Sequence, residues 1–265
     1  MLPASIIDLS VFFSHLEPGL LLSPIFHPPD NPAEYVMLVL RWFHILAGII
    51  WIGHLYFFNL VNVNLMKALD GPTKGKVIPQ LMPRALWWFR WGAVITVLVG
   101  LAYYAMYILK GDSHNAGKNP WVVLIVWLVI LIVAFALEFF AVRKIDNGWA
   151  LTVVVALLMI LMSLAVICWL RSQLGEWGGT KSYSIGLGGG LGIVMMLNVW
   201  GIIWPNQKRI ISWTADNAEN GTAIPPESAK LARVAFLASR ANFWLSVPMV
   251  LLMAASSHFT GWIGV

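Results

Sequence analysis

The chain has 265 residues, of which 59% are hydrophobic and only 11% charged, and its mean hydropathy is +0.77. A soluble domain of this size needs roughly a quarter of its residues charged to cover its surface, so the composition excludes a water-exposed globular fold and assigns the chain to a bilayer. A net charge of +5 and a pI of about 9.4 would suit a nucleic-acid partner, but long apolar runs separated by short basic loops exclude that class, along with disordered and fibrous ones. The basic excess is left for orientation and lipid contact.

In chain order, residues 1–33 hold two short apolar stretches, Ser5 to Phe13 and Gly19 to Phe26, broken by Pro18, Pro24, Pro28 and Pro29. Neither is long enough to span. No basic residue precedes the apolar part, so a cleavable signal peptide is not expected. The segment reads as a periplasmic interfacial cap, with a short re-entrant helix as the alternative. Residues 34–265 read as a transmembrane bundle. Six segments supply the roughly 20 apolar residues that a spanning helix needs: about 35–66, 84–109, 121–142, 149–171, 184–204 and 235–263. The expected fold is an all-α, polytopic helical bundle of about six transmembrane helices, the first and last long enough to tilt or to project beyond the hydrocarbon.

Orientation follows the lysines and arginines. Loops near 67–84, 143–148 and 205–234 carry Lys67, Lys74, Lys76, Arg84, Arg143, Lys144, Lys208, Arg209, Lys230 and Arg233, whereas the intervening loops carry only Lys110, Lys118, Arg171 and Lys181. Ten against four puts both termini on the periplasmic side. Trp121, Trp149, Trp177, Trp204, Trp213 and Trp262 fall near span ends, where indole anchors in the headgroup zone. In the long basic loop, Pro225, Pro226 and Glu227 open a helical pattern carrying Lys230, Arg233 and Arg240, read as a surface helix on anionic lipid that leads into the last span.

The lone cysteine, Cys168, allows no disulfide, no CxxC pair and no covalent haem attachment within the chain. Any redox centre must therefore be held noncovalently. The Gly-rich run Ser184 to Ile193 has Gly186/Gly190 and Gly188/Gly192 at small-xxx-small spacing, which lets another helix approach closely. A second reading is a flat wall for a planar cofactor. No strand precedes the run, so a dinucleotide fingerprint is excluded.

Polar groups inside hydrocarbon are costly and ask for a partner or a task. In the first span Arg41, His44, Gly48 and Trp51 share one helical face. His54 lies roughly 80° around from His44 and about 15 Å deeper, so the two cannot ligate one metal. His258, near the end of the last span, falls at the depth of His44, with Ala254 and Ala255 a turn below it. Two such imidazoles, with Arg41 for a propionate, would make a bis-histidine haem b site. The bland reading is that each histidine is a hydrogen-bonded packing residue. His54 reads as an interhelical hydrogen-bonding residue, or as a ligand to a second cofactor with Met195 or Met196; His15, His27 and His114 read as loop histidines. Arg90 and Glu138 have similar depth and opposite charge, which predicts a structural ion pair, with a proton-input carboxylate as the sharper alternative. Asn198 and Asn242 would hydrogen-bond between helices or to a cofactor.

Three stretches carry a resemblance: RWFHILAGIIWIGHLYFFN (Arg41 to Asn59), VWGIIWPNQKRII (Val199 to Ile211) and SRANFWLSVPM (Ser239 to Met249). They resemble the N-terminal membrane domain of bacterial membrane-bound, cytochrome-c-linked urate oxidases, over nearly the whole chain. More distantly, His44-x(6)-Trp51-x-Gly53 and Arg240-x-Asn242…Pro248 look like haem-binding membrane protoporphyrinogen oxidases and copper-resistance membrane proteins. The resemblance implies a bacterial inner-membrane location, and supports His44 as a haem ligand. The urate oxidases carry a C-terminal c-type cytochrome, which this chain, ending at Val265, lacks; a separate periplasmic c-type cytochrome or a larger membrane complex is therefore expected as acceptor.

The leading expectation is an integral membrane, haem-b-binding oxidoreductase or electron-transfer subunit, urate-oxidase-like, with Arg41, His44, Gly48, His54 and His258 as cofactor residues and His44 and His258 as axial ligands. Urate rests on the resemblance alone, and no residue is assigned to catalysis. The alternatives are a noncatalytic accessory or anchoring subunit of a respiratory or oxidase complex, as a homo- or hetero-oligomer, and a copper-handling membrane protein using His and Met. No nucleic-acid partner is expected.

Overall fold

The structure, a computed structural model, describes residues 31–259 together with 261 and 263. Most of the expected cap at 1–33, with His15 and His27, lies outside the described residues, as does Trp262. By contact the chain divides into Met1–Val39 and Leu40–Val265. In the first unit a helix begins at Pro32, where the Asn31 side-chain oxygen accepts the Ala33 N–H at 2.9 Å. The cavity and the polar cluster described below lie in the second unit.

Six helices are long and apolar enough to cross a membrane, and no strand occurs among the described residues. They are α1 (Pro32–Ala68), α2 (Gly71–Asn115), α3 (Pro120–Lys144), α4 (Gly148–Trp177), α5 (Thr180–Asn220) and α6 (Glu227–His258). The all-α bundle expected from hydropathy is the fold the chain adopts. Three starts are fixed by side-chain caps that satisfy the first free N–H groups. Asp70 accepts from Thr73 N–H at 2.9 Å, Asn119 from Trp121 N–H at 2.9 Å, and Asn147 from Trp149 and Ala150 N–H at 3.0 Å each. α5 ends at Gly221, whose φ of 71° is left-handed and suits glycine.

Two helices run well past the apolar stretches. α2 begins at Gly71 rather than near 84, and α5 continues to Asn220 rather than ending near 204. Their polar extensions lie against each other at the basic-loop end, so close that a Cβ on Gly75 would stand 3.3 Å from Ala218. Hydropathy detects lipid contact, not backbone hydrogen bonding, so a helix continuing into water reads as a loop.

α5 is the central element. A Cβ on Gly190 would stand 2.9 Å from Leu131 of α3, one on Gly186 2.7 Å from Leu170 of α4 and 2.9 Å from the Tyr104 hydroxyl of α2, and one on Gly188 3.0 Å from Leu252 of α6. The glycine run therefore packs helices closely on several sides, the use its small-xxx-small spacing predicts. Ile125, Ile132, Leu157 and Leu161 on α3 and α4 remain exposed, forming an apolar face for lipid. Single π-helical turns interrupt α1 at Phe57–Asn62, α2 at Tyr104–Leu109 and α5 at Val199–Ile203. The last directly precedes Pro205, which has no N–H to return to the turn before it.

Candidate functional site

Between α1, α2, α5 and α6, with Trp127 of α3 behind, lies an apolar cavity of about 610 Å³. Cofactor and ligand sites run from about 300 to 1,000 Å³, so the space suits a sizeable group. Arg41, His44, Gly48 and Trp51 all line it, as their shared helical face predicts. Facing them are Gly188, Gly189 and Gly192 of α5. The same glycine run thus packs against neighbouring helices and also leaves part of the cavity wall bare of side chains. Arg41 and Lys181, both exposed, supply positive charge at the cavity edge.

His44 is half-buried, and its Nδ1 lies 2.8 Å from the Thr96 carbonyl oxygen of α2. A carbonyl only accepts, so Nδ1 carries the proton and the neutral ring keeps its lone pair on Nε2. Room for the ring is made by Gly100, one turn along from Thr96: a Cβ there would stand 2.7 Å from both Cε1 and Nδ1 of His44. Thr96 is held in turn by donation from its hydroxyl to the Gly92 carbonyl at 2.7 Å. The Trp51 indole N–H, buried at the cavity wall, has no acceptor.

The structure does not bring His258 to this cavity. His258 is the last residue of α6 and exposed, while Met249, Met253, Ala254, Ser256 and Ser257 supply the lining. His258 shares a face with Ala254, four residues before it, but stands a turn further on, at the exposed end of the helix. The shared face was readable from sequence, but not that the cavity stops short of the end of α6. His54 faces a separate, shallower groove of about 400 Å³ with Phe57, Leu81 and Ala85. Its Nδ1 lies 2.7 Å from the Ile50 carbonyl of its own helix, so it makes an intrahelical bond rather than the expected interhelical one. Among the described residues no cluster of three or more His, Cys, Asp or Glu could hold a metal ion.

The expected Arg90–Glu138 ion pair does not form. Arg90 lies over the rings of Trp204, at 3.8 Å, and Trp200, at 5.6 Å. Glu138 is fully buried and accepts from Asn198 Nδ2 at 3.0 Å; the same nitrogen donates to Asn242 at 2.9 Å, and Asn242 donates to the Met195 carbonyl at 2.9 Å. The aromatic faces of the Val199–Trp204 stretch hold the cation, and the Asn198 amide, itself bonded to Asn242, holds the carboxyl. Among the described residues the ion pairs are Arg209–Glu227 and Arg233–Asp146, both exposed. The interhelical role expected for Asn198 and Asn242 is the one they have. Of the tryptophans expected to anchor, Trp121, Trp149 and Trp177 are exposed at helix ends, whereas Trp204 packs on Arg90.

Sequence reasoning missed Thr96 and Gly100. Both sit in an ordinary apolar span, and only the register of α2 against α1 sets them beside His44. Tyr104 was also missed; it is buried, its hydroxyl donating to the Ser182 carbonyl at 3.1 Å.

Fold and cavity together define a polytopic helical membrane protein with one imidazole in the wall of an internal apolar chamber. The chain belongs to the urate oxidase N-terminal family, whose match runs over residues 70–264. The matched region takes in α2 to α6; α1, with Arg41, His44, Gly48 and His54, precedes it. No curated protein and no solved structure matches the chain.

Proposed function

We propose that this protein is a urate-oxidase-like membrane oxidoreductase or electron-transfer subunit that holds haem b noncovalently beside His44 and passes electrons to a separate c-type cytochrome. The acceptor would meet it at the end opposite the basic loops, the periplasmic face of a bacterial inner membrane under the positive-inside rule. The observation that carries the reading is His44 itself. Its Nδ1–H is held by a backbone carbonyl at 2.8 Å, and an imidazole ligand characteristically donates its second ring N–H in this way while the other nitrogen binds metal.

The remaining residues fit such a group. Gly100 forms a cradle that any Cβ would fill. Gly188, Gly189 and Gly192 leave a flat wall, Met249 and Met253 add soft thioethers, and the Trp51 N–H is a donor awaiting an acceptor. Bound here, haem would supply one-electron redox chemistry. The chain's own part is to orient the His44 ring, to keep water out with apolar walls, and to set Arg41 and Lys181 against carboxylates at the cavity edge. The same cations would attract an anionic purine, which is what supports urate as substrate alongside family membership.

The test is the absorption spectrum of dithionite-reduced protein purified from haem-replete cells. A sharp b-type α band that is lost in His44→Ala and kept in His258→Ala is the expected result; a colourless preparation would sink the reading. Urate with oxidised cytochrome c then tests the enzyme, and absence of cytochrome reduction removes urate as substrate.

A further inference from the structure

The half of the bundle nearer the basic loops holds polar groups that the cavity does not use. Glu138 has no exposed surface, and while its Oε1 accepts from Asn198, its Oε2 meets no donor. Asn198 spends both amide hydrogens on Glu138 and Asn242, leaving its own Oδ1 as a second acceptor without a donor. Two buried oxygens in one cluster thus lack a donor, and a proton on the carboxyl is the smallest change that turns Oε2 from an acceptor without a donor into a neutral hydroxyl. A buried carboxylate without a cation is far costlier than a neutral acid.

The charged groups on the surrounding elements provide no such cation. On its own helix Arg143 lies over Phe139. On α2 Arg90 lies over Trp204, and on α6 Arg240 packs on Phe236 and Phe243. On α5 Arg209 pairs with Glu227, Lys208 is exposed, and the span of α4 near Glu138 carries no ionisable side chain. None forms an ion pair with Glu138.

Further buried polar atoms without protein partners lie toward the basic loops: Asn59 Oδ1, Asn62 Oδ1 and Asn206 Nδ2, on segments of α1 and α5. Asn59 also donates to the Ser239 hydroxyl of α6 at 3.0 Å. Buried polar atoms left over by the protein are characteristically satisfied by internal water. We propose that Glu138 is an intramembrane proton-binding site: its carboxyl is protonated at neutral pH and exchanges that proton with the basic-loop side through hydrated asparagines of α1 and α5. The site does not depend on what occupies the cavity.

The experiment is infrared spectroscopy of the full chain in lipid nanodiscs at pH 7. The expected result is a protonated-carboxyl C=O band that is absent in Glu138→Gln and shifts within minutes of transfer to D2O. Gln preserves an acceptor and adds a donor at Oε2, so Glu138→Gln should melt within a few degrees of the parent, which separates loss of the band from misfolding. A spectrum identical in the two proteins would mean that the carboxyl is ionised and would overturn the proposal. A band that resists deuteration would overturn the hydrated route. Carboxylate bands with sodium-dependent melting would make the site one for a metal cation, which also overturns it.

Discussion

Around His44, elements of five helices stand apart to leave about 610 Å³ of apolar space, whereas toward the basic loops the same bundle closes on Glu138, Asn198 and Asn242 without exposing them. α5 contributes to both regions: glycines where the chamber opens, an asparagine where the bundle shuts. The contrast shows two ways of placing polarity in lipid. In the chamber the polar atoms are few, and the Trp51 N–H meets no acceptor. In the closed region, amides bond to one another because no lipid or bulk water can take their place.

The comparison is broken most strongly at Asn198. Asn198→Ala leaves the Glu138 carboxyl and the Asn242 amide without their shared partner, and should cost about 3 kcal/mol for two stranded buried groups, read as a loss of unfolding free energy in detergent. A loss under about 1 kcal/mol would mean that the closed region does not depend on its amides. Next comes Gly100→Ala in the chamber. The added methyl must displace the His44 ring, costing about 2 kcal/mol of overpacking, and the b-type band should weaken with it. An unchanged band would separate His44 from any haem.

Gly192→Ala sharpens the contrast from the other side. A Cβ there would meet only the Met249 sulfur, at 3.8 Å, an ordinary contact. Helix propensity favours Ala over Gly by up to about 1 kcal/mol, so thermal unfolding should show no loss of stability. The smallest effect lies outside both regions, at exposed Asp70. The Thr73 hydroxyl, and then the Thr73 N–H, hold its carboxyl below the ordinary carboxylate range. Because the folded pKa is the lower one, this contribution is present above the unfolded pKa and fades as pH falls through the folded one. Melting curves of Asp70→Asn should therefore lose less stability than the parent on acidification.

The membrane class and the six spans were legible because a run of about 20 apolar residues has few other uses. The face shared by Arg41, His44, Gly48 and Trp51 was legible because helical periodicity is local. The partners of that face were not. Nothing in the composition of α2 marks Thr96 or Gly100, and nothing in α6 tells that the cavity stops short of His258. Arg90 and Glu138 misled for the same reason: similar depth and opposite charge do not say which neighbours each helix presents. Two indoles and two amides were the neighbours found.

By itself the sequence determined a bilayer fold, a basic and a less basic end, and a short set of polar residues that lipid would not tolerate unpartnered. These follow from properties of single segments: length, periodicity and charge. Only the tertiary structure decided that His44 rests on the Thr96 carbonyl in a hollow left by Gly100, that His258 lies exposed outside the cavity, and that Glu138 is held by Asn198 beside Asn242. Each depends on the placement of one helix against another, which side-chain packing fixes and no single segment encodes.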